Sequence, residues 1–443
     1  MTRAGWRDTG PRWLAAATAV LSLLMAGCGG SAAGNAAASP SSSSTASAAT
    51  GTDGLTGSNV NGAVVNYLSY VGGTAGKANQ SLSPVAIGWV NQQGGFPSTP
   101  QATKGAEAAV NFINDNLGGI GGHPVTLHTC YIASAEEEGQ RCGQQLVADS
   151  AVQAIAFGFV ATGNQSFESV LNGQKPLVIG VSAAPSDAKA KNTYIFYGDQ
   201  THILGPWGTY LKQKLHAKTA AIVYPNEAGA QTGAQATKQG IQKAGIQVKA
   251  VGFDPQATDL LGPLTAAGVQ TADVFVPFPD TPQCASMAKA LKEIGSKKAV
   301  VSNPLCLDPT VATALGGDLP LWTYGIATVL PSDPTAADAK TYSTVAAAAG
   351  LGSDFVNPWA EVAWGQILEI AKFMNGAGGA NATSAGIASQ LKSYHGPLIL
   401  GAPSVQCGKY SDAPAVCNDQ TKFYNYEGKG VFKPASGWLR PPG

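Results

Sequence analysis

The chain has 443 residues, 44% of them hydrophobic and only 12% charged, and its 27 Lys and Arg residues equal its 27 Asp and Glu residues in number. A neutral chain without a basic stripe excludes nucleic-acid-binding proteins and proteins that adhere to membranes through basic patches. The 55 glycines favour a compact α/β protein with tight turns over a coiled coil or a disordered chain, and the length suffices for two domains.

Residues 1–27 have the pattern of a secretory signal peptide. Three arginines precede an apolar run over residues 13–26, and a small-residue cleavage site leads into Cys28. The run is shorter than the about 20 residues that a spanning helix needs. A spanning helix and a secreted protein with a chance cysteine are the alternatives. A cysteine at this place resembles the lipobox of bacterial lipoproteins, with Met25 where Leu is usual. The resemblance implies cleavage before Cys28 and lipid attachment to it.

Residues 28–80 are predicted to form a tether. From Gly29 to about Thr56 the chain is almost entirely Ser, Ala, Gly and Thr. This composition cannot bury a core and predicts a flexible linker. Residues 60–80 leave two interpretations open, a short helix packed on the folded body or the last part of the tether.

The next segment alternates strands and helices. Residues 85–90 are apolar throughout and predict a buried strand, and residues 99–116 carry Ala and Ile at helical spacing. The pattern continues through residue 180, with further strands at 125–128, 154–159 and 176–180 and helices at 136–148 and 165–171. This order predicts parallel strands joined by right-handed helical crossovers.

A second alternation follows from residue 219. Its predicted strands are 219–224, 248–251, 272–276 and 299–301, and its predicted helices are 233–244, 260–267 and 284–294. A long helix at 359–374 precedes a tail rich in Gly, Pro and Tyr, in which Cys407 and Cys417 are candidates to pin a hairpin. The two runs predict an α/β protein with two doubly wound parallel sheets.

Six cysteines follow Cys28. Pairing of sequence neighbours is the simplest arrangement, and an exported protein meets oxidising conditions. Pairing of neighbours predicts three disulfides, Cys130–Cys142, Cys284–Cys306 and Cys407–Cys417. Buried thiols and a zinc site are the alternatives. The chain has no CxxC motif and no suitably spaced His, which argues against zinc, and we predict no metal site.

Three stretches carry a resemblance to a known family. They are residues 87–122, with a strand, a helix ending in Asn-Phe-Ile-Asn and a Gly-Gly-Ile-Gly-Gly turn, then residues 149–163, and residues 224–252. Together they resemble the type I periplasmic binding proteins, and within them the branched-chain amino acid-binding family of ABC transporters, here in lipoprotein form. The resemblance covers roughly residues 84–439.

The resemblance implies two lobes joined by a three-strand hinge, with the ligand in the cleft at the carboxyl ends of the strands. We assign residues 81–200 and 329–405 to the N-lobe, and 201–328 and 406–443 to the C-lobe. The implied function is an extracytoplasmic, lipid-anchored, monomeric protein that delivers a small polar ligand, such as an amino acid, to a permease with ATPase subunits. A sensor that presents its ligand to a membrane receptor or kinase is the alternative. No cofactor is expected.

The candidate ligand-binding residues lie in loops after strand ends, apart from Trp89, which lies near the end of the first predicted strand. They are Trp89, Asn91, Gln92, Ala161, Thr162, Ser182, Ala183, Asn226, Glu227, Asp280 and Thr281. In the family a hydroxyl and backbone amides at the loops around Thr162 and Ser182 hold the ligand carboxylate. The structural alternative is a turn or cap role for each loop residue and a core role for Trp89.

Two positions depart from the family pattern. Leu305 stands where the family has the acid that binds the ligand's ammonium group, and Ala228 stands where an aromatic is expected. Asp280 or Glu227 can take over the cation contact; otherwise the ligand is not an α-amino acid.

Enzymatic motifs are missing from the sequence. Residues 180–184 lack the last glycine of a GxSxG elbow, the five histidines show no HExxH spacing, and the glycines at 118–122 do not form GxGxxG. The protein is therefore not expected to be an enzyme.

Overall fold

The computed structural model describes residues 53–60, 62–95 and 97–443, apart from the side chain of Ala228. All of them belong to one unit, Ala48–Gly443. The predicted signal peptide, Cys28 and the first part of the predicted tether lie outside the described residues. Within the described ranges no helix combines the length and the apolar content needed to span a bilayer.

The first lobe is built on a five-stranded parallel sheet with the order β2-β1-β3-β4-β5. All eight residues of the interior strand β1 are buried, because helices cover both faces of the sheet. The strands are β1 (Val85–Gln92), β2 (Val125–Ile132), β3 (Val152–Phe157), β4 (Leu177–Ser182) and β5 (Thr193–Asp199).

Seven α-helices of the described residues, numbered in chain order, surround this sheet. Those of one face include α2 and α11, which approach so closely that a Cβ on Gly105 would lie 2.2 Å from the Ala360 carbonyl oxygen. The helices are α1 (Tyr67–Val71), α2 (Pro100–Asn116), α3 (Glu136–Ala148), α4 (Asn164–Leu171), α10 (Ala337–Ala346), α11 (Pro358–Gly376) and α12 (Ser384–Lys392).

The second lobe has a seven-stranded sheet with the order β12-β11-β10-β9-β8-β6-β7. Strands β6 to β10 are parallel, and the edge hairpin β11–β12 is antiparallel. The strands are β6 (Thr219–Pro225), β7 (Gln247–Phe253), β8 (Val274–Pro277), β9 (Ala299–Ser302), β10 (Thr323–Ile326), β11 (Lys422–Gly428) and β12 (Val431–Pro434). The helices are α5 (Pro206–Gln213), α6 (Ala228–Lys243), α7 (Leu261–Ala267), α8 (Thr281–Glu293) and α9 (Pro309–Ala314).

The chain passes between the two sheets three times, at residues 200–205, 327–336 and 418–421. The second and third crossings are tied together, because Lys422 Nζ lies 2.9 Å from Asp333 Oδ2 and Asp333 is fully buried as a side chain. The α/β fold with two doubly wound lobes and a three-strand hinge, predicted from the sequence, is confirmed. The antiparallel hairpin at the edge of the second sheet was not predicted.

The predicted tether ends too late. Val64 and Tyr67 are fully buried in the core of the first lobe, and the Tyr67 ring packs edge-on against Phe112 of α2 at 5.9 Å between centroids. Asn66 caps α1 by accepting a hydrogen bond from Ser69 N. The apolar residues between 60 and 80 therefore form part of the folded body, and this corrects the predicted limit at residue 80.

The tail also divides differently from the prediction. Residues 413–416 pack on the first lobe, where Ile195 N donates to the Ala415 carbonyl oxygen over 2.7 Å. The structure contains the disulfides Cys130–Cys142, Cys284–Cys306 and Cys407–Cys417. The last of these precedes the hairpin β11–β12 and closes a separate loop, across which Gln406 N donates to the Cys417 carbonyl oxygen over 3.0 Å.

Candidate functional site

The loops at the carboxyl ends of the strands form the candidate site. In an open parallel α/β sheet these ends create the crevice in which ligands bind. The loops that follow β1, β3 and β4 supply the first-lobe side, and those that follow β6, β8 and β9 supply the second-lobe side. The residues predicted from the sequence lie in these loops or in the elements that flank them, since Trp89, Asn91 and Gln92 belong to β1, Ser182 ends β4 and Thr281 begins α8.

Asn91, at the end of β1, is fully buried and supports the neighbouring loop. Its Oδ1 accepts a hydrogen bond from Phe159 N at 3.1 Å, and its Nδ2 donates to the Thr99 carbonyl oxygen at 2.8 Å. Gly158 lies just before this contact, and a Cβ there would come within 2.7 Å of Asn91 Oδ1. Asn91 therefore positions the loop after β3 from beneath.

Gln92 is also fully buried, and it occupies the backbone amides of the loop after β3. Its Oε1 accepts hydrogen bonds from Ala161 N at 2.7 Å and Thr162 N at 3.2 Å, and its Nε2 donates to the Ala133 carbonyl oxygen at 3.3 Å. These are the amides at which the family resemblance implied a ligand carboxylate. In this structure a side-chain oxygen of the protein fills that position.

Glu136 completes the same arrangement at the start of α4. Its Oε1 accepts from Gly163 N at 3.0 Å and its Oε2 from the Ser166 hydroxyl at 2.8 Å. The N-terminus of a helix favours negative charge. Here that charge comes from the chain itself, through the Glu136 carboxylate.

Two other predicted first-lobe residues are structural. Trp89 is fully buried and donates from Nε1 to the Thr103 hydroxyl at 3.0 Å. Ser182 is buried and donates to Asp187 Oδ2 at 2.7 Å. Burial raises the pKa of Asp187. These contacts turn both side chains inward.

The remaining first-lobe candidates stay at the edge of the site. Ala161 is exposed, and Thr162 and Ala183 are half-buried. Thr162 is thus the predicted hydroxyl that this edge leaves accessible. Ala161 and Ala183 can offer only methyl groups and backbone atoms.

An aromatic pair at this edge was missed by sequence reasoning. The rings of Phe159 and Trp359 are both half-buried, with centroids 4.3 Å apart and planes inclined at 48°. Helix α11 runs against the direction of the strands: Gln366 contacts the Val178 carbonyl oxygen, and Val362, one turn earlier, covers Gly180. Trp359 therefore lies at the carboxyl edge. Its position directly after an Asn-Pro helix start was the available signal.

On the second-lobe side, Glu227 and Asp280 face each other. Asn226 and Glu227 are exposed and Asp280 is half-buried. Burial first, and then the hydrogen bond and charge of Glu227, raise the pKa of Asp280 to about 6. The two carboxyl groups thus share a site in which a proton or another cation is favoured.

Leu305 remains at the edge of the second lobe, with 39% of its surface exposed. Its backbone is held in place, because Leu305 N donates to Asn303 Oδ1 at 3.1 Å and the Thr281 hydroxyl donates to the Leu305 carbonyl oxygen at 3.2 Å. The disulfide Cys284–Cys306 joins this turn to α8. Thr281 consequently acts as a local support in this structure.

The charged residues of the strand-end loops are all acidic. The loops at residues 93–99, 133–136, 158–163, 183–187, 226–227, 254–260, 278–280 and 303–308 contain no Lys or Arg. Exposed or half-buried acids in these loops include Glu136, Glu227, Asp254, Asp280 and Asp308. Among the described residues no group of three His, Cys, Asp or Glu side chains is arranged to hold a metal ion.

Residues 84–408 match the family model described as periplasmic binding protein. The chain belongs to this family. Periplasmic binding proteins are extracytoplasmic substrate-binding proteins of ABC transporters, and they are not enzymes. No curated protein sequence matches the chain.

Solved structures with the same fold include three that bind different compounds or are named for them. A leucine-binding protein from Thermotoga maritima has 12% identity and a TM-score of 0.61 over 81% of this chain and 99% of that one. A solute-binding protein from R. palustris in complex with 4-hydroxybenzoate has 16% identity and a TM-score of 0.63 over 82% of this chain and 98% of that one. A fatty acid ABC transporter substrate-binding protein from Thermomonospora curvata has 15% identity and a TM-score of 0.61 over 83% of this chain and 95% of that one. At these identities the likeness shows the fold.

Proposed function

We propose that this periplasmic binding protein is the lipid-anchored receptor of an ABC importer, which captures a small ligand between its two lobes and delivers it to a permease with ATPase subunits. The observation that carries the proposal is the pairing of two α/β sheets, with polar loops at their carboxyl ends, across three chain crossings. Proteins of this fold include one named for leucine, one in complex with 4-hydroxybenzoate and one named for fatty acids.

Delivery requires that the ligand distinguish the open from the closed form. A ligand that bound both forms equally would transmit nothing to the permease. A shift from mostly open to mostly closed takes a difference in affinity on the order of 10⁴-fold. Groups from both lobes must therefore contact the ligand, and Thr162 with the aromatic pair on one side and Asp280 with Leu305 on the other are our candidates.

The lobe assignment that follows from the two sheets supports a hinge motion. In this proposal the first lobe holds residues 53–199 and most of 329–417, and the second lobe holds 206–326 and 422–436. We further propose a monomer, anchored through Cys28 to the outer face of the cell membrane.

The first experiment identifies the ligand. The protein is purified without denaturation, and native mass spectrometry is used to detect a retained small molecule. In parallel, thermal-shift measurements cover amino acids, amides, amines, aromatic acids, urea and short polyols. Stabilisation by one class, together with a smaller radius of gyration in X-ray scattering, is the expected result. No stabilisation by any compound, and no retained molecule, would overturn the proposal.

The second experiment tests the anchor. The full chain is expected in the membrane fraction, and the Cys28→Ala variant is expected in the soluble extracytoplasmic fraction. Cys407 and Cys417 changed together to Ala provide the control, because a folded-body disulfide has no role in anchoring. Equal membrane association of full chain and Cys28→Ala variant would refute lipidation at this residue.

A further inference from the structure

The amides that could hold a ligand carboxylate in the first lobe are already in use. Gln92 Oε1 accepts from the amides of Ala161 and Thr162, and Glu136 accepts from the amide of Gly163 and the hydroxyl of Ser166. These are three consecutive backbone donors at the start of α4, and each one already has a partner.

This occupation does not depend on the closure of the cleft. All of the residues concerned lie in the first lobe, on β1, at the start of α3 and at the start of α4. Gln92 is fully buried, so its side chain is held by its surroundings and is not free to swing away. A ligand that entered with a carboxylate would have to displace these bonds and leave the buried amide of Gln92 without a partner, which is costly.

The charge at this position opposes an anion. Glu136 places a carboxylate where a ligand carboxylate would approach, and like charges at close range repel. The strand-end loops contain no Lys or Arg that would compensate this repulsion. On the opposite side of the site, the carboxyl groups of Glu227 and Asp280 add further negative charge.

The surfaces that remain accessible suit a flat apolar group. Phe159 and Trp359 are both half-buried and expose part of their rings at the edge of the first lobe. Leu305, 39% exposed, supplies an apolar surface on the second lobe. Aromatic faces attract both flat apolar groups and cations.

We propose that Gln92 and Glu136 act as a built-in substitute for a ligand carboxylate, so that the cleft selects uncharged or cationic ligands with a flat apolar part and rejects free carboxylic acids. This inference rests on the proposed ligand-binding function. It separates this chain from a receptor for free amino acids or aromatic acids.

The test uses compounds that differ only in the carboxylate. Phenylalanine is compared with phenylalaninamide and phenethylamine, and 4-hydroxybenzoate with 4-hydroxybenzamide and 4-hydroxybenzylamine, by thermal shift and titration calorimetry at neutral pH. The amide or amine of at least one set is expected to bind, and its carboxylate partner to bind more weakly by about fivefold or more.

A charge-neutral variant isolates the role of Glu136. The Glu136→Gln variant keeps a carbonyl oxygen for Gly163 N but removes the negative charge. We expect it to reduce the difference in affinity between a carboxylate ligand and the corresponding amide ligand. Glu137→Gln is the matched control, because Glu137 is the next residue of the same helix turn and is exposed. Melting temperatures of both variants establish that they are folded.

The outcomes separate the two proposals. If the unaltered protein binds a carboxylate as tightly as its amide, or retains a carboxylic acid through purification, the selection by Gln92 and Glu136 is refuted while ligand binding stands. If the difference in affinity between carboxylate and amide ligands is the same in the Glu136→Gln and Glu137→Gln variants, the role of Glu136 is refuted. If no compound binds and no molecule is retained, the binding function falls, and the inference falls with it.

Discussion

Glu369 offers a sharp test of how burial controls charge in the first lobe. The residue lies on α11 and is fully buried. Its Oε1 accepts hydrogen bonds from the Tyr197 hydroxyl at 3.0 Å and from Ile399 N at 3.1 Å, and its Oε2 has no hydrogen-bond partner among the described residues. Burial, which outweighs these hydrogen bonds, raises the pKa of Glu369 from 4.5 to about 8. The carboxyl group is therefore protonated at neutral pH.

The raised pKa makes folding depend on pH with a definite sign. A carboxyl group whose pKa is higher in the folded state contributes stability below its unfolded pKa and loses it as the pH rises through the folded pKa. At about 1.4 kcal/mol per pKa unit, ionisation of Glu369 in the unfolded chain, while the folded protein keeps it protonated, lowers the free energy of unfolding by roughly 3–4 kcal/mol between about pH 5 and about pH 8.

The variant Glu369→Gln removes this pH-dependent loss of stability, because Gln is neutral at every pH and keeps an acceptor for Tyr197 and Ile399. We expect the stability difference between variant and unaltered protein to shift by roughly 3–4 kcal/mol in favour of the variant from about pH 5 to about pH 8. Urea unfolding followed by tryptophan fluorescence measures it, and the other buried acids cancel in the comparison.

The control is Glu107→Gln on α2, where the side chain is exposed. Its stability difference is expected to change little over the same pH range. A Glu369→Gln difference that stays constant with pH, or shifts against the variant at high pH, would refute the argument that burial keeps this carboxyl group neutral.

Three further predictions follow from the described contacts. Tyr67→Ala should lower the free energy of unfolding by about 3–5 kcal/mol in urea unfolding, because it empties a fully buried aromatic site; an effect typical of a surface residue would contradict the packing. Changing Cys284 and Cys306 together to Ala should cost about 3 kcal/mol, since the bond spans 22 residues, and weaken ligand binding through Leu305; unchanged stability and affinity would contradict both roles. Cationic ligands should bind more weakly below about pH 6, where Asp280 gains a proton, and calorimetry of Asp280→Asn should show this pH dependence lost.

The central strands could be predicted from the sequence, and several edge elements could not. Residues 85–90 of β1 and 154–157 of β3 are continuous apolar runs because helices cover both faces of the sheet. Strand β5 is buried along its whole length, but it begins with Thr and Tyr and ends in Asp, and β10 has only four residues, so neither shows a long aliphatic run in the sequence. The hairpin β11–β12 carried a readable signal, the Gly-Lys-Gly turn at residues 428–430.

The candidate site was located correctly as a set of loops, but the direction of its side chains could not be read from the sequence. Gln92 meets Ala161 across 69 positions of the chain, and only the parallel pairing of β1 with β3 brings them together. Trp359 reaches Phe159 from a helix that follows the entire second alternation. Local patterns do not encode such pairings, because they arise when distant elements pack.

The third hinge crossing has a practical consequence for experiments on this protein. Asp419 is almost fully buried and binds Lys409 and the Tyr410 hydroxyl on the first-lobe side, while its Oδ1 lies 2.7 Å from Nη1 of Arg440. A tag or surface linkage attached next to Arg440 would therefore load this crossing, which bends in the proposed hinge motion. Biosensors made from this protein should carry their label at a turn of the second lobe outside the three crossings, such as Gly295 between α8 and β9, so that immobilisation does not itself bias the proposed hinge motion.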